Sequence, residues 1–165
     1  GDFLQFSRAD RVQQGLADLD AVVRHVVTLL EPESVAAGVE LRYETAGALP
    51  EIPLDTEKMK QVLINLIRNA IEALPQGGRV DLTVKREGEC ALVSIADNGA
   101  GLPEGVDVFQ LFVTTKPGGT GLGLSIARQI VAQHGGLISA RNDEGGGAVF
   151  EFTLPLVPVP KEKAS

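Results

Sequence analysis

Tryptophan is absent from this chain, and cysteine, methionine and tyrosine occur once each. With aromatics at 4%, aliphatic side chains have to fill the core. A single cysteine, Cys90, excludes an internal disulfide and suits a reducing compartment. No apolar run approaches the roughly 20 residues that cross a bilayer. The opening GDFLQFSRAD lacks the charged and apolar regions of a signal peptide. It begins with Gly rather than Met, as an excised fragment would. Positive charge is also short: 15 Lys and Arg stand against 22 Asp and Glu, for a net charge of −7. That balance argues against general nucleic-acid binding. A partner rich in phosphate would need backbone N–H groups, a metal and a few placed side chains. What remains is 165 residues, 44% apolar, enough for one soluble domain with a real core.

Apolar residues recur at Leu19, Val22, Val23, Val26, Val27 and Leu30, one face of a helix that Glu31-Pro32 is expected to end. VELRYE (39–44) alternates as a half-buried strand, and the prolines of LPEIPLD mark a linker without regular structure. A second helix runs from Asp55 or Thr56 to Leu74, and Pro75 with Gly77-Gly78 stops it. RVDLTVKR and CALVSIAD around EGE read as a hairpin. A long glycine-rich loop over 98–121 precedes a third helix from about Leu122 to His134, which Gly135-Gly136 ends. LISARN and AVFEFTLP are two closing strands, and VPVPKEKAS is a tail or linker. Paired strands outnumber βαβ units, so helices should layer on one face of a mixed sheet.

Three stretches carry possible chemistry. On the second helix, Lys58, Gln61, Asn65, Asn69 and Glu72 fall within about 40° of one line, opposite the apolar stripe. A solvated face explains most such lines. Two mid-helix asparagines fit it poorly, because Asn is a mediocre helix former, whereas its carbonyl is a hard oxygen suited to Mg²⁺. At IADNGAGLP a strand ends at Asp97 in Asn98-Gly99-Ala100-Gly101. That is an ordinary turn, or a carboxylate placed to accept from an exocyclic amine. PGGTGLGLSIAR (117–128) packs four glycines into six positions and turns helical at once. It is neither a Rossmann nor a Walker A loop. It is a flexible turn, or a helix N-terminus whose N–H groups and dipole favour an anion.

Together these stretches resemble bacterial sensor histidine kinases. QVLINLIRNAIEAL resembles their N box, DNGAG their G1 box, VFQLFVTTK their F box and GGTGLGLSIARQIVAQHGG their G2 box, in the same order over about residues 20–155. The form FVTTKPGGTGLGLS is most similar to nitrogen-regulation-type kinases. The resemblance implies an α/β (α+β) two-layer sandwich, a mixed β-sheet with helices packed on one face, the Bergerat-type ATP-binding fold shared with gyrase, Hsp90 and MutL ATPases. It implies three segments: 1–18, the end of a dimerisation and phosphoacceptor helix with its linker; 19–156, the catalytic ATP-binding domain; and 157–165, a tail.

By the same resemblance, Asn69 coordinates Mg²⁺ on the ATP phosphates and Asn65 lies near the phosphates or the metal's water. Asp97 accepts from the adenine amino group, and Gly99 and Gly101 let the base lie close. Residues 105–118 form an ATP lid anchored by Phe109 and Phe112. Thr115 and Lys116 approach the phosphates. Gly119, Gly121 and Gly123 put bare backbone against them, with Thr120 and Leu122 lining the site. Asn65, Asn69 and Lys116 are the catalytic candidates. The γ-phosphoryl acceptor is a histidine elsewhere, since neither His25 nor His134 has the acceptor's sequence surroundings. Related ATPases carry a water-activating glutamate at the position of Asn65. The F box lacks a usual proline, and Glu72 replaces a frequent lysine. The implied partners are the protein's own dimerisation and phosphoacceptor domain, in a homodimer, and a response regulator, with no nucleic acid. The implied location is a cytoplasmic domain of a protein that an inner-membrane anchor could hold. A non-catalytic nucleotide-binding module, and an ATPase or serine kinase of the same superfamily, are the alternatives.

Overall fold

A computed structural model describes residues 14–102 and 122–157, for Leu122 the backbone alone. Its centre is a five-stranded sheet in the order β2-β4-β5-β7-β6, formed by β2 (Val39–Ala46), β4 (Gly78–Glu87), β5 (Cys90–Asp97), β6 (Ile138–Asn142) and β7 (Ala148–Pro155). β2 and β4 run parallel and the other neighbours antiparallel. The sheet is therefore mixed, as the paired-strand pattern predicts. Alternation sends Val80, Leu82, Val84, Val93, Ile95, Phe150, Phe152 and Leu154 into one buried cluster with the helices. The other face carries polar and charged residues such as Glu40, Arg42, Asp81, Ser94 and Glu151, with Ser94 Oγ donating to Glu151 at 3.0 Å. All described helices therefore cover one face, and the fold is a two-layer sandwich.

Helix α1 (Leu19–Ala36) starts at Asp18, whose carboxylate accepts from Ala21 N. It runs one and a half turns past the expected stop. Pro32 lies inside it, on the exposed side, as does Thr28, the residue whose carbonyl would otherwise accept from position 32. The buried stripe meanwhile continues from Leu30 to Ser34. Tyr43 of β2 donates its hydroxyl to Asp20 of α1 at 2.6 Å, and Arg24 pairs with the same carboxylate beneath the Tyr43 ring. Burial first, then the hydrogen bond to Asp20, pushes the Tyr43 phenol up. The expectation of no regular structure in LPEIPLD is also corrected: β3 (Ile52–Leu54) pairs antiparallel with β1 (Gly15–Ala17). Only alternate N–H groups of an antiparallel strand face its partner, so Pro53 costs the ribbon little.

Helix α2 (Thr56–Glu72) is capped by Asp55, whose Oδ1 accepts from Lys58 N at 3.1 Å. Met59, Val62, Leu63, Leu66, Ile67, Ala70 and Ile71 form its buried stripe. Helix α3 (Leu122–Gln133) ends beside His134, which is 3% exposed. His134 Nε2 accepts the Asp55 N–H at 3.0 Å, so the ring proton sits on Nδ1, which donates to the Ile130 carbonyl at 2.9 Å. The imidazole is neutral, and burial holds its pKa below the usual value. Such a group resists protonation when folded, so its stabilisation is full above about pH 6.5 and is lost as pH falls below that value. Denaturant unfolding should therefore show stability dropping between pH 7.5 and 5.5. His134→Gln should flatten that drop and cost about 1–3 kcal/mol at pH 7.5.

Candidate nucleotide site

The end of β5 places a carboxylate where the sheet meets α2. Asp97 is 5% exposed. Its Oδ1 accepts from Gly99 N at 2.9 Å and from Ala148 N, at the start of β7, at 3.3 Å. Oδ2 takes no hydrogen bond from the described residues, which leaves an acceptor for a donor from outside. The next residue serves the scaffold: Asn98 Oδ1 accepts from Arg79 N at 2.8 Å and holds the start of β4. The turn reading and the acceptor reading of Asp-Asn-Gly are thus compatible, because Asp97 uses one oxygen for each.

Both glycines of this turn have reasons within the protein. A Cβ on Gly99 would stand 2.6 Å from the Ala73 carbonyl at the end of α2. Gly101 has φ +91°, and a Cβ there would stand 2.7 Å from Asn142 Oδ1. The turn is therefore seated on α2 on one side and on the end of β6 on the other.

Along α2 the site continues. Asn65, Asn69 and Ala73 follow at intervals of four on one side, and both asparagines are half-buried. At the Asn65 end, its Nδ2 donates to the Gly123 carbonyl in the first turn of α3, at 3.1 Å across 58 positions. At the other end, Ala73 touches Gly99. Eight residues of helix are about 12 Å. One helix face thus links the α3 N-terminus, with its outward N–H groups, to the Asp97 carboxylate. An elongated ligand with an anionic end and an amine-bearing flat end suits that distance and polarity.

The structure brings together Asn65 with Gly123, and Gly99 with Asp97. It places Gly101 against Asn142, a residue the motifs do not contain. Thr115, Lys116, Gly119, Thr120 and Gly121 lie outside the described residues, as do the side chain of Leu122, residues 105–118 and the lid phenylalanines. Sequence reasoning missed Asn142, Ala148 and the Asp55–His134 tie. Each acts across 40 to 79 positions, through groups that carry no local pattern.

Residues 54–158, more than half of the chain, match the family described as histidine kinase-, DNA gyrase B-, and HSP90-like ATPase. The chain belongs to this family. Among its relatives is the sensor histidine kinase ZraS of Escherichia coli (strain K12), 34% identical over 157 residues, 94% of this chain and 34% of ZraS. The chain thus spans about a third of the length of that relative. The catalytic domain of histidine kinase ThkA has a TM-score of 0.82 at 36% identity, over 89% of this chain and 98% of that one. ThkA in complex with response regulator protein TrrA aligns with a TM-score of 0.76 at 33% identity, over 87% of this chain and 42% of that one. Full-length ShkA in complex with AMPPNP aligns with a TM-score of 0.80 at 30% identity, over 90% of this chain and 32% of ShkA. The expected α/β sandwich and the assignment as a histidine-kinase catalytic, ATP-binding domain are borne out. Among the described residues, no helix is long and apolar enough to cross a membrane.

The glycines of this site divide by what presses on them. Gly99→Ala should cost about 1–3 kcal/mol, because backbone blocks its Cβ. At Gly123 the nearest described atom to a Cβ is Asn65 Cγ, at an ordinary 3.6 Å. Gly123→Ala should leave stability within about 1 kcal/mol of wild type, since Ala is the better helix former. Denaturant midpoints of the two variants check the contrast.

Proposed function

We propose that this chain binds ATP with Mg²⁺ along α2 and presents the γ-phosphoryl group to a histidine outside the chain. That histidine would lie on the protein's dimerisation and phosphoacceptor domain, for relay to a response regulator. The observation that supports this best is the single α2 face joining the Asn65–Gly123 end to the Gly99–Asp97 end. In this reading Asp97 Oδ2 accepts from the adenine amino group, and the triphosphate extends past Asn69 towards the α3 N-terminus. An incoming imidazole nitrogen forms the new P–N bond as the bond from the γ-phosphorus to the bridging oxygen breaks, and ADP leaves. The chain contributes position and charge stabilisation rather than covalent chemistry.

The described residues hold no group of three His, Cys, Asp or Glu side chains that could hold a metal. The amide oxygens of Asn69 and Asn65 are hard, neutral donors, which fits Mg²⁺ arriving already held by phosphates. The metal would supply charge neutralisation there. His134 cannot be the acceptor, because both of its ring nitrogens are engaged in the core. A neutral amide at Asn65, rather than a carboxylate, provides no base for water, which favours transfer over hydrolysis.

Calorimetric titration with AMPPNP should give a Kd of about 10–100 μM, roughly −5.5 to −7 kcal/mol. Asp97→Asn can keep Oδ1 for Gly99 and Ala148 while replacing Oδ2 with a donor, so it should fold and lose binding with or without Mg²⁺. Asn69→Ala should lose mainly the Mg²⁺-dependent part. Labelled phosphate should then pass from ATP to a separately supplied histidine domain. A wild type that binds no adenine nucleotide would end this reading.

A further inference from the structure

Asn142 is the last residue of β6 and is exposed, yet its amide does not make a local turn. Its Oδ1 accepts from Leu102 N at 2.6 Å, forty positions away, just past the Asp97 turn. The same oxygen fills the space in which Gly101 would carry a Cβ. The turn that follows Asn142 reaches the other end of the same segment. It is closed by Asp143 N donating to the Gly147 carbonyl at 2.9 Å and Gly146 N to the Asp143 carbonyl at 3.0 Å. Gly147, at φ +88°, lies so close to the Asp97 carbonyl that no side chain fits between them. Ala148 then donates to the Asp97 carboxylate. The β6–β7 hairpin therefore grips residues 97–102 at both ends.

We propose that Asn142 is a positioning residue for the base end of the nucleotide site: by holding the Leu102 N–H it sets the path of the Gly99–Leu102 backbone against which the ring lies. The inference rests on the nucleotide reading above. It separates Asn142 from residues that merely hold the fold. The side chain is exposed and outside the hydrophobic core, so truncation leaves no cavity. The neighbouring β6–β7 pairing is a backbone ladder that does not need it. What truncation removes is one acceptor, and with it the restraint on a backbone N–H whose position matters only to what binds beside it.

The test compares wild type, Asn142→Ala, Asn142→Thr and Asn142→Asp for binding of ADP without Mg²⁺ and of AMPPNP with Mg²⁺, alongside unfolding and amide exchange at Leu102. Asn142→Ala and Asn142→Thr should raise Kd about fivefold for both nucleotides alike, with unfolding midpoints unchanged and faster exchange at Leu102. Asn142→Asp, which keeps the acceptor, should return Kd to within about twofold of wild type and restore slow exchange. Unchanged affinity in Asn142→Ala overturns the inference, as does a loss confined to AMPPNP with Mg²⁺, which would place the effect at the phosphates. Failure of both Asn142→Ala and Asn142→Thr to fold also overturns it, since the residue would then be holding the fold. A wild type that binds neither nucleotide removes the parent reading, and this inference with it.

Discussion

A carboxylate taken out of water must be matched by donors, and much of this structure depends on how that is met for Asp97. One oxygen takes two backbone N–H groups, from Gly99 and Ala148. The first demands a turn so tight against α2 that only glycine fits at position 99. The second demands that β7 begin directly beside the end of β5, which fixes the register Ala96↔Val149 and forces glycine at 147. Removing the carboxylate would leave two donors unpaired, so the group that suits a ligand is also one that the scaffold needs.

Helix α2 faces a second constraint, because it has to serve the core and the site at once. Its apolar stripe packs against the sheet and against both neighbouring helices in one core, and polar groups add two ties to α3. Asn65 meets Gly123 at the start of α3, and the Asp55 backbone meets His134 at its end. From Asp55 to Asn65 is ten residues, and from Gly123 to His134 is eleven, so both spans are about 15 Å. The two helices therefore lie antiparallel, tied at both ends, and the α3 N-terminus is held beside the asparagines.

How much of this was legible follows from the range of each interaction. The N-cap at Asp55 or Thr56, the hairpin at Gly88-Glu89 and the glycine stops after α2 and α3 rest on residues within a few positions of each other, and the sequence announces them. The strand β3 was not legible, because its reason is pairing with β1 more than thirty residues earlier. The run of α1 through Pro32 was misread, because a proline is judged by whether the lost bond faces water, which only packing decides. For the site, the asparagine pair stood out because Asn in mid-helix works against propensity and so needs another reason. Asn142 ends a strand and precedes a turn, where Asn is ordinary, so nothing local distinguished it.

The charge balance bears on how such a site can hold a polyanion. The chain carries a net charge of −7, and at Asn65 and Asn69 the α2 face offers neutral amides where a basic patch would be the simplest solution. Neutral donors and a helix N-terminus stabilise an anion only locally, without the long-range attraction of a cationic surface. Under the proposed function, the repulsion between the protein and four phosphate charges has to be offset by the metal that the nucleotide carries with it. Amide oxygens suit that task, because they bind the cation without adding negative charge next to the phosphates. Carboxylates in their place would bind Mg²⁺ more strongly but oppose the phosphates, and one of them could activate water. Under that proposal, a pair of asparagines on one helix face would meet two needs of phosphoryl transfer together: it would tolerate the charge, and it would leave the phosphoryl group intact until an acceptor arrives.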